Sequence, residues 1–168
     1  MKKIVAVFAT LLVSLMLFSC ATPETARVSG ILEGEVTQAR VDEALSHIYE
    51  LFRPRLDLTG AQEHVVVAGD TLSGIARNFF GHLTNVGDAG FQNGFYFPVI
   101  MMASQTHIVD PDLIEPGLSL TIIDLRRNLD NPIARAAIRE SLLEVAYVYG
   151  RRGRSSEEDG LRRLANSL

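Results

Sequence analysis

Cysteine is almost absent: the chain of 168 residues holds one, Cys20. A lone thiol excludes an internal disulfide and any zinc cluster built from cysteines. Lysine is nearly as scarce, and both copies, Lys2 and Lys3, stand before an apolar run. Beyond that point all formal positive charge comes from arginine. Without the two lysines the net charge moves from −4 to −6, because 14 arginines then face 20 acidic residues. So acidic a chain is a poor general binder of nucleic acid, and no nucleic-acid partner is expected. Histidine is sparse too. His47, His64, His82 and His107 show neither His-Glu-x-x-His spacing nor another metal pair, so no metal site and no cofactor are expected. No internal repeat is visible.

What is present begins at the N-terminus. Ile4 to Phe18 is an uncharged apolar run of 15 residues behind the basic pair. It falls short of the roughly 20 residues that a membrane-spanning helix needs, and it suits the apolar core of a signal peptide. Leu17-Phe18-Ser19-Cys20 closes the run and resembles a lipobox, in which cysteine receives a diacylglyceryl thioether before cleavage. Phe18 is bulkier than the small residue usual there. The reading is a lipoprotein signal peptide over 1–19, with a covalent lipid on Cys20 in place of any cofactor. The other reading is ordinary secretion with Cys20 incidental. Several acyl chains anchor stably, since each buried methylene contributes about 0.8 kcal/mol.

After the anchor, 20–34 has Pro, Ser, Thr and Gly with little periodicity and reads as a flexible tether. An amphipathic helical segment is expected over 35–60, with Val41, Ala44, Leu45, Ile48 and Phe52 on one face. It ends at Arg53, because the residue before Pro54 is pushed out of the α region. Val65 to Val67 reads as a short strand and Gly69 as a turn. Asp70 or Thr71 caps a helix carrying Leu72, Ile75, Ala76, Phe79 and Phe80, and Gly74 weakens that helix. His82 to Tyr96 reads as a loop. A second helix starts near Phe97 with Pro98 in its first turn. Glu115-Pro116-Gly117 suits a turn with Pro at the second position and Gly at the third, leading to a strand over Leu118 to Ile123. Over 130–168 a helix opening at Pro132 is followed by a shorter one, with Ser155 and Glu158 spaced as a capping box.

The order strand, helix, helix, strand carries a resemblance. Gly69-Asp70-Thr71-Leu72 with Ile75-Ala76, then Asp112, Ile114, Pro116-Gly117 and Leu120, resemble the opening and closing sequences of a LysM module over 64–124. The resemblance implies an α+β fold, a single βααβ module with a two-stranded antiparallel sheet packed on two helices. Amphipathic helices flank it on both sides. It also implies a shallow groove for N-acetylglucosamine units of peptidoglycan or a chitin-like glycan, met largely by backbone groups. Carried across, the groove is walled by Gly69, Asp70, Thr71 and Leu72 on one side and by Asp112, Leu113, Ile114 and Pro116 on the other. An N-acetyl group needs an amide donor and acceptor with a small apolar seat, and glycine lets backbone approach closely.

Each of these residues has a plainer role as well. Leu72, Ile75 and Ile114 suit a core, Asp70 and Thr71 suit caps, and Asp112 and Pro116 shape a turn. The loop over 82–96 exceeds the usual link between the helices of such modules. Its Phe91, Phe95 and Tyr96 either stack on a ligand or fold back on the core. Arg151, Arg152, Arg154, Arg162 and Arg163 either meet anionic headgroups or a partner's acidic face, or complement a helix C-terminus.

LysM modules often accompany hydrolases, but the flanks are too short to house one, so no enzyme is expected. The missing lysine argues against one kind of wall attachment, the covalent one through a C-terminal lysine amine. The expectation is a lipid-anchored envelope protein that grips peptidoglycan non-covalently. Ala21 after Cys20 favours the periplasmic face of an outer membrane in a two-membrane organism. The alternative is a scaffold that has lost glycan binding and meets a protein partner through its flanking helices.

Overall fold

The computed structural model describes residues 28–83, 92–104, 108 and 111–168. Cys20, Phe91 and His107 therefore lie outside the described residues. Seven helices and one two-stranded sheet are built from them: α1 Val28–Ile31, α2 Gln38–Phe52, β1 Gln62–Val65, α3 Leu72–Phe80, α4 Phe97–Ala103, β2 Ser119–Ile122, α5 Leu125–Asp130, α6 Pro132–Arg151 and α7 Ser155–Asn166. Short 3-10 segments, Arg53–Arg55 and Gln92–Tyr96, lead out of α2 and into α4. This is an α+β fold, with a two-stranded antiparallel sheet among helices.

The strands pair from Gln62 opposite Ile122 to Val65 opposite Ser119. The expected strand Val65 to Val67 thus sits about three residues too late. Its β-branched residues mark the end of the ladder, where the Val66 amide donates to Leu118 (2.9 Å) and its carbonyl accepts from Gly117 (2.8 Å). The paired residues before it, Gln62-Glu63-His64, are polar and carry no β signal. Only Val66 of the valine run is buried, while Val65 and Val67 are exposed. The two turns use glycine as expected, Gly69 and Gly117 both having φ of +93°. Leu118 donates to the Glu115 carbonyl across the Pro116-Gly117 corner at 3.1 Å.

Helix α3 buries Leu72, Ile75, Ala76 and Phe80. All seven residues of α4 are buried, and its last turn is tied to the sheet by Ser104. That hydroxyl donates to Ile100 (2.6 Å) and accepts from the Thr121 amide (3.0 Å). The flanks join the same core rather than forming bodies of their own. The Tyr49 hydroxyl on α2 donates to Met101 Sδ at 3.1 Å, and the Phe97 and Tyr149 rings meet edge to face at 5.8 Å.

Three local expectations change. The segment read as a tether through Gly34 is built into the core from Val28 onward. Val28, Ile31 and Leu32 place three apolar side chains on one helical turn, and Val28 and Leu32 are buried. The Gly34 carbonyl is gripped by Arg151 at 2.8 Å. Residues 125–129, between the expected module and the expected C-terminal segment, form most of α5, which Asp124 caps through the Arg127 amide (3.0 Å). Buried Asn128 on α5 bolts on the chain after α2. Its side chain accepts from the Asp57 amide and donates to the Asp57 carbonyl, both at 2.8 Å. Lastly, Ser155 makes no capping bond at the start of α7. Arg154 pairs with Glu157 there, and Glu158 instead accepts from Arg162 one turn on.

Candidate functional site

The loop before α3 is held by its own side chains. Asp70 folds back over the Gly69 turn, where its carboxylate accepts from the Val67 amide (3.0 Å) and pairs with His64 Nε2 (2.9 Å). These contacts, the Val67 amide first, hold Asp70 below the usual carboxylate range. His64 in turn meets the Phe79 ring edge to face at 5.5 Å. The cap left open between Asp70 and Thr71 falls to Thr71, whose Oγ accepts from the Gly74 amide at 3.1 Å. A Cβ at position 74 would stand 2.9 Å from that oxygen. Gly74 therefore keeps the cap clear, which is more than the weak helix former read from sequence.

Across from this loop lies the segment before β2. Between them is a cleft of about 360 Å³, near the lower end of the 300–1,000 Å³ typical of small-ligand sites. Six of the expected residues line it: Asp70, Thr71, Leu72, Asp112, Leu113 and Ile114. Gly69 and Pro116 do not. They shape the turns that carry their neighbours. Leu72 is 2% exposed and belongs mainly to the core, whereas Leu113 stands 71% exposed at the rim. Ile114 is intermediate and packs against the core, so it serves both roles that its pattern allowed.

The cleft has two further walls that no local motif signals. Gly94 and Phe95, from the segment read as a loop, form one of them. Tyr96 beside them is fully buried against Phe80, so within this segment one ring fills the core and the other faces the cleft. The second wall is the α6–α7 junction, with Tyr149, Arg154, Ser156 and Glu157. Arg154 spans the site, donating to Asp112 (2.6 Å) and Glu157 (2.5 Å) with its guanidinium 5.5 Å from the centre of the Tyr149 ring. These bonds, Glu157 foremost, raise the guanidinium's affinity for its proton, and the pairing holds Glu157 below the usual range. Arg152 approaches Asp112 as well, at 3.8 Å. Most of the arginine cluster is thus spent inside the molecule, for Arg151 and Arg162 also have internal partners.

The lining mixes backbone-rich loop, three aromatic side chains (Phe95, Phe97 and Tyr149) and fixed polar groups. Such a surface suits a hydrogen-bonding ligand with apolar faces better than a bare ion. Among the described residues, no group of three His, Cys, Asp or Glu side chains is placed to hold a metal ion. No helix among them is long and apolar enough to cross a membrane.

Neither a curated protein nor a solved structure matches this chain. One family model does, the LysM domain, over residues 64–122. That stretch runs from His64 on β1 to the last residue of β2 and contains both loops of the cleft. Modules of this family bind peptidoglycan or chitin-like glycans, and residues 64–122 of this chain are a LysM domain.

Proposed function

We propose that this protein binds the N-acetylglucosamine glycan of peptidoglycan non-covalently, in the cleft between the Asp70–Ser73 and Pro111–Ile114 loops. A lipid on Cys20 would hold it in the cell envelope, and it would act by binding alone. One observation carries the reading: the two loops that bound a cleft the size of a sugar site both lie within the LysM match. The tethering half rests on Leu17-Phe18-Ser19-Cys20 behind the apolar run.

The flanks take part in this reading. Arg154, Ser156 and Glu157 add a guanidinium, a hydroxyl and a carboxylate to a groove whose backbone loops supply amides, with Tyr149 buried behind them. The competing scaffold reading draws on the same flanks, and on the approach of Gly94 and Phe95 to the groove. Open volume and an exposed Leu113 favour the glycan.

The test is co-sedimentation with purified peptidoglycan, with chitin oligosaccharide as competitor. Ser73→Arg with Leu113→Asp, the latter at the exposed rim, fills and charges the cleft while sparing the Thr71 cap. The wild-type protein pellets and is competed off, and the double variant stays soluble with an unchanged melting temperature. A folded wild-type protein that never pellets would contradict the glycan reading and favour the scaffold.

A further inference from the structure

Five charged side chains line the cleft: Asp70, Arg77, Asp112, Arg154 and Glu157. Four have internal partners. Asp70 holds His64 and the Val67 amide, and Arg154 joins Asp112 to Glu157. Arg77 alone makes no ion pair or hydrogen bond with any described side chain. It is exposed, one turn after Ser73 on the cleft face of α3, opposite the face that buries Ile75 and Ala76. Gly94 sets its position. A Cβ there would stand 3.2 Å from the Ser73 carbonyl oxygen and 3.6 Å from Arg77 Nε, so the bare glycine lets the 3-10 segment lie along the arginine.

A guanidinium whose donors meet no described side chain, at the edge of a sugar-sized cleft, is a planar fork matched to a carboxylate. A neutral glycan makes little use of it, since hydroxyls and acetamides are served by the loops. We infer that the cleft prefers an N-acetylated amino sugar bearing a carboxylate, received by Arg77. The inference rests on the glycan reading and narrows its substrate class. Two sources in peptidoglycan carry that chemistry: the lactyl ether of a muramyl residue and the peptide attached to it.

Calorimetry on the full-length protein separates them with three probes. These are the N-acetylglucosaminyl-N-acetylmuramic acid disaccharide, the same disaccharide with its carboxyl converted to a primary amide, and its dipeptide conjugate. At low salt the better of the two acids binds about 3–10-fold more tightly than the amide, as for a partly exposed charge-assisted pair. Which acid wins locates the carboxylate. The ratio narrows in about 0.5 M salt. It falls to one in Arg77→Gln and is kept in the surface control Arg135→Gln.

Equal binding of acids and amide overturns the inference, and so does a preference that survives Arg77→Gln. A variant that loses acidic and neutral ligands alike overturns it too, because Arg77 would then serve the sugar. Neutral chitotetraose separates the two levels. If it binds the wild type without an acid preference, only this inference falls; if no glycan binds, the glycan reading falls with it.

Discussion

Replacing Gly160 with alanine reverses its ordinary sign in this protein. In a helix interior such a change normally stabilises by about 0.5–1 kcal/mol, through backbone entropy and propensity. Gly160 is buried in α7, and a Cβ there would sit far inside contact distance of three ring atoms of Phe95. The Phe95 ring is partly buried and packs against the core, so it does not swing aside as a flexible chain end does. Overpacking of this kind costs about 1–3 kcal/mol. The balance is a net loss of about 1–2 kcal/mol, a fall of roughly 3–8 °C in melting temperature for a domain of this size. In a Phe95→Ala background the obstruction is gone, and Gly160→Ala should then stabilise by about 0.5–1 kcal/mol. A double-mutant cycle by urea unfolding therefore reads a coupling of about 1.5–3 kcal/mol with a change of sign. Because Phe95 lines the cleft, the single variant should also weaken binding of chitin oligosaccharide. Stabilisation in the wild-type background, or the same loss in both backgrounds, would refute the packing argument.

Three further outcomes follow from the same contacts. Asn128→Ala strands the amide and carbonyl of Asp57 and should cost about 2–3 kcal/mol in urea unfolding, most of it irrecoverable by Asn128→Leu. Asp57 is held at about 2, below its ordinary 3.8, first by Thr59 and then by Arg127. Because the folded-state value is the lower one, its stabilisation is complete above about pH 4 and fades as pH falls toward 2. Unfolding midpoints of wild type and Asp57→Asn should converge over that window, and a constant gap would count against the assignment. Thr71→Ala should cost about 1 kcal/mol through loss of the α3 cap, while Thr71→Ser keeps most of it.

Those contacts also show what sequence could and could not reveal. Helical periodicity and the two glycine turns are local properties, so α2, α3, α4, α6 and the Glu115–Leu118 corner were legible from spacing alone. Strand β1 was displaced because Gln62-Glu63-His64 is held by its partner strand and not by its own propensity. Two walls of the cleft were legible through the LysM resemblance that Gly69–Leu72 and the segment from Asp112 to Gly117 carry. The other two were not: Arg154 reaches Asp112 across 42 residues, and Phe95 is placed by a glycine on α7. Such pairings depend on how α6 and α7 fold back on the module, which no short window of sequence encodes. Val28 and Leu32 illustrate the same limit, since a Gly- and Ser-rich segment gains its order only from the core that receives it.

The central claim is that the cleft between the LysM loops and the C-terminal helices receives an N-acetylated glycan. The most direct measurement is an amide chemical-shift titration of the chain from Ala21 to Leu168 with chitotetraose. Saturable shifts are expected at Asp70–Ser73, Gly94 and Asp112–Ile114, joined by Arg154–Glu157 on the opposite wall. A spectrum unchanged at saturating ligand, or shifts confined to the separate cleft around Phe79–Leu83 and Ile122–Arg126, would contradict it.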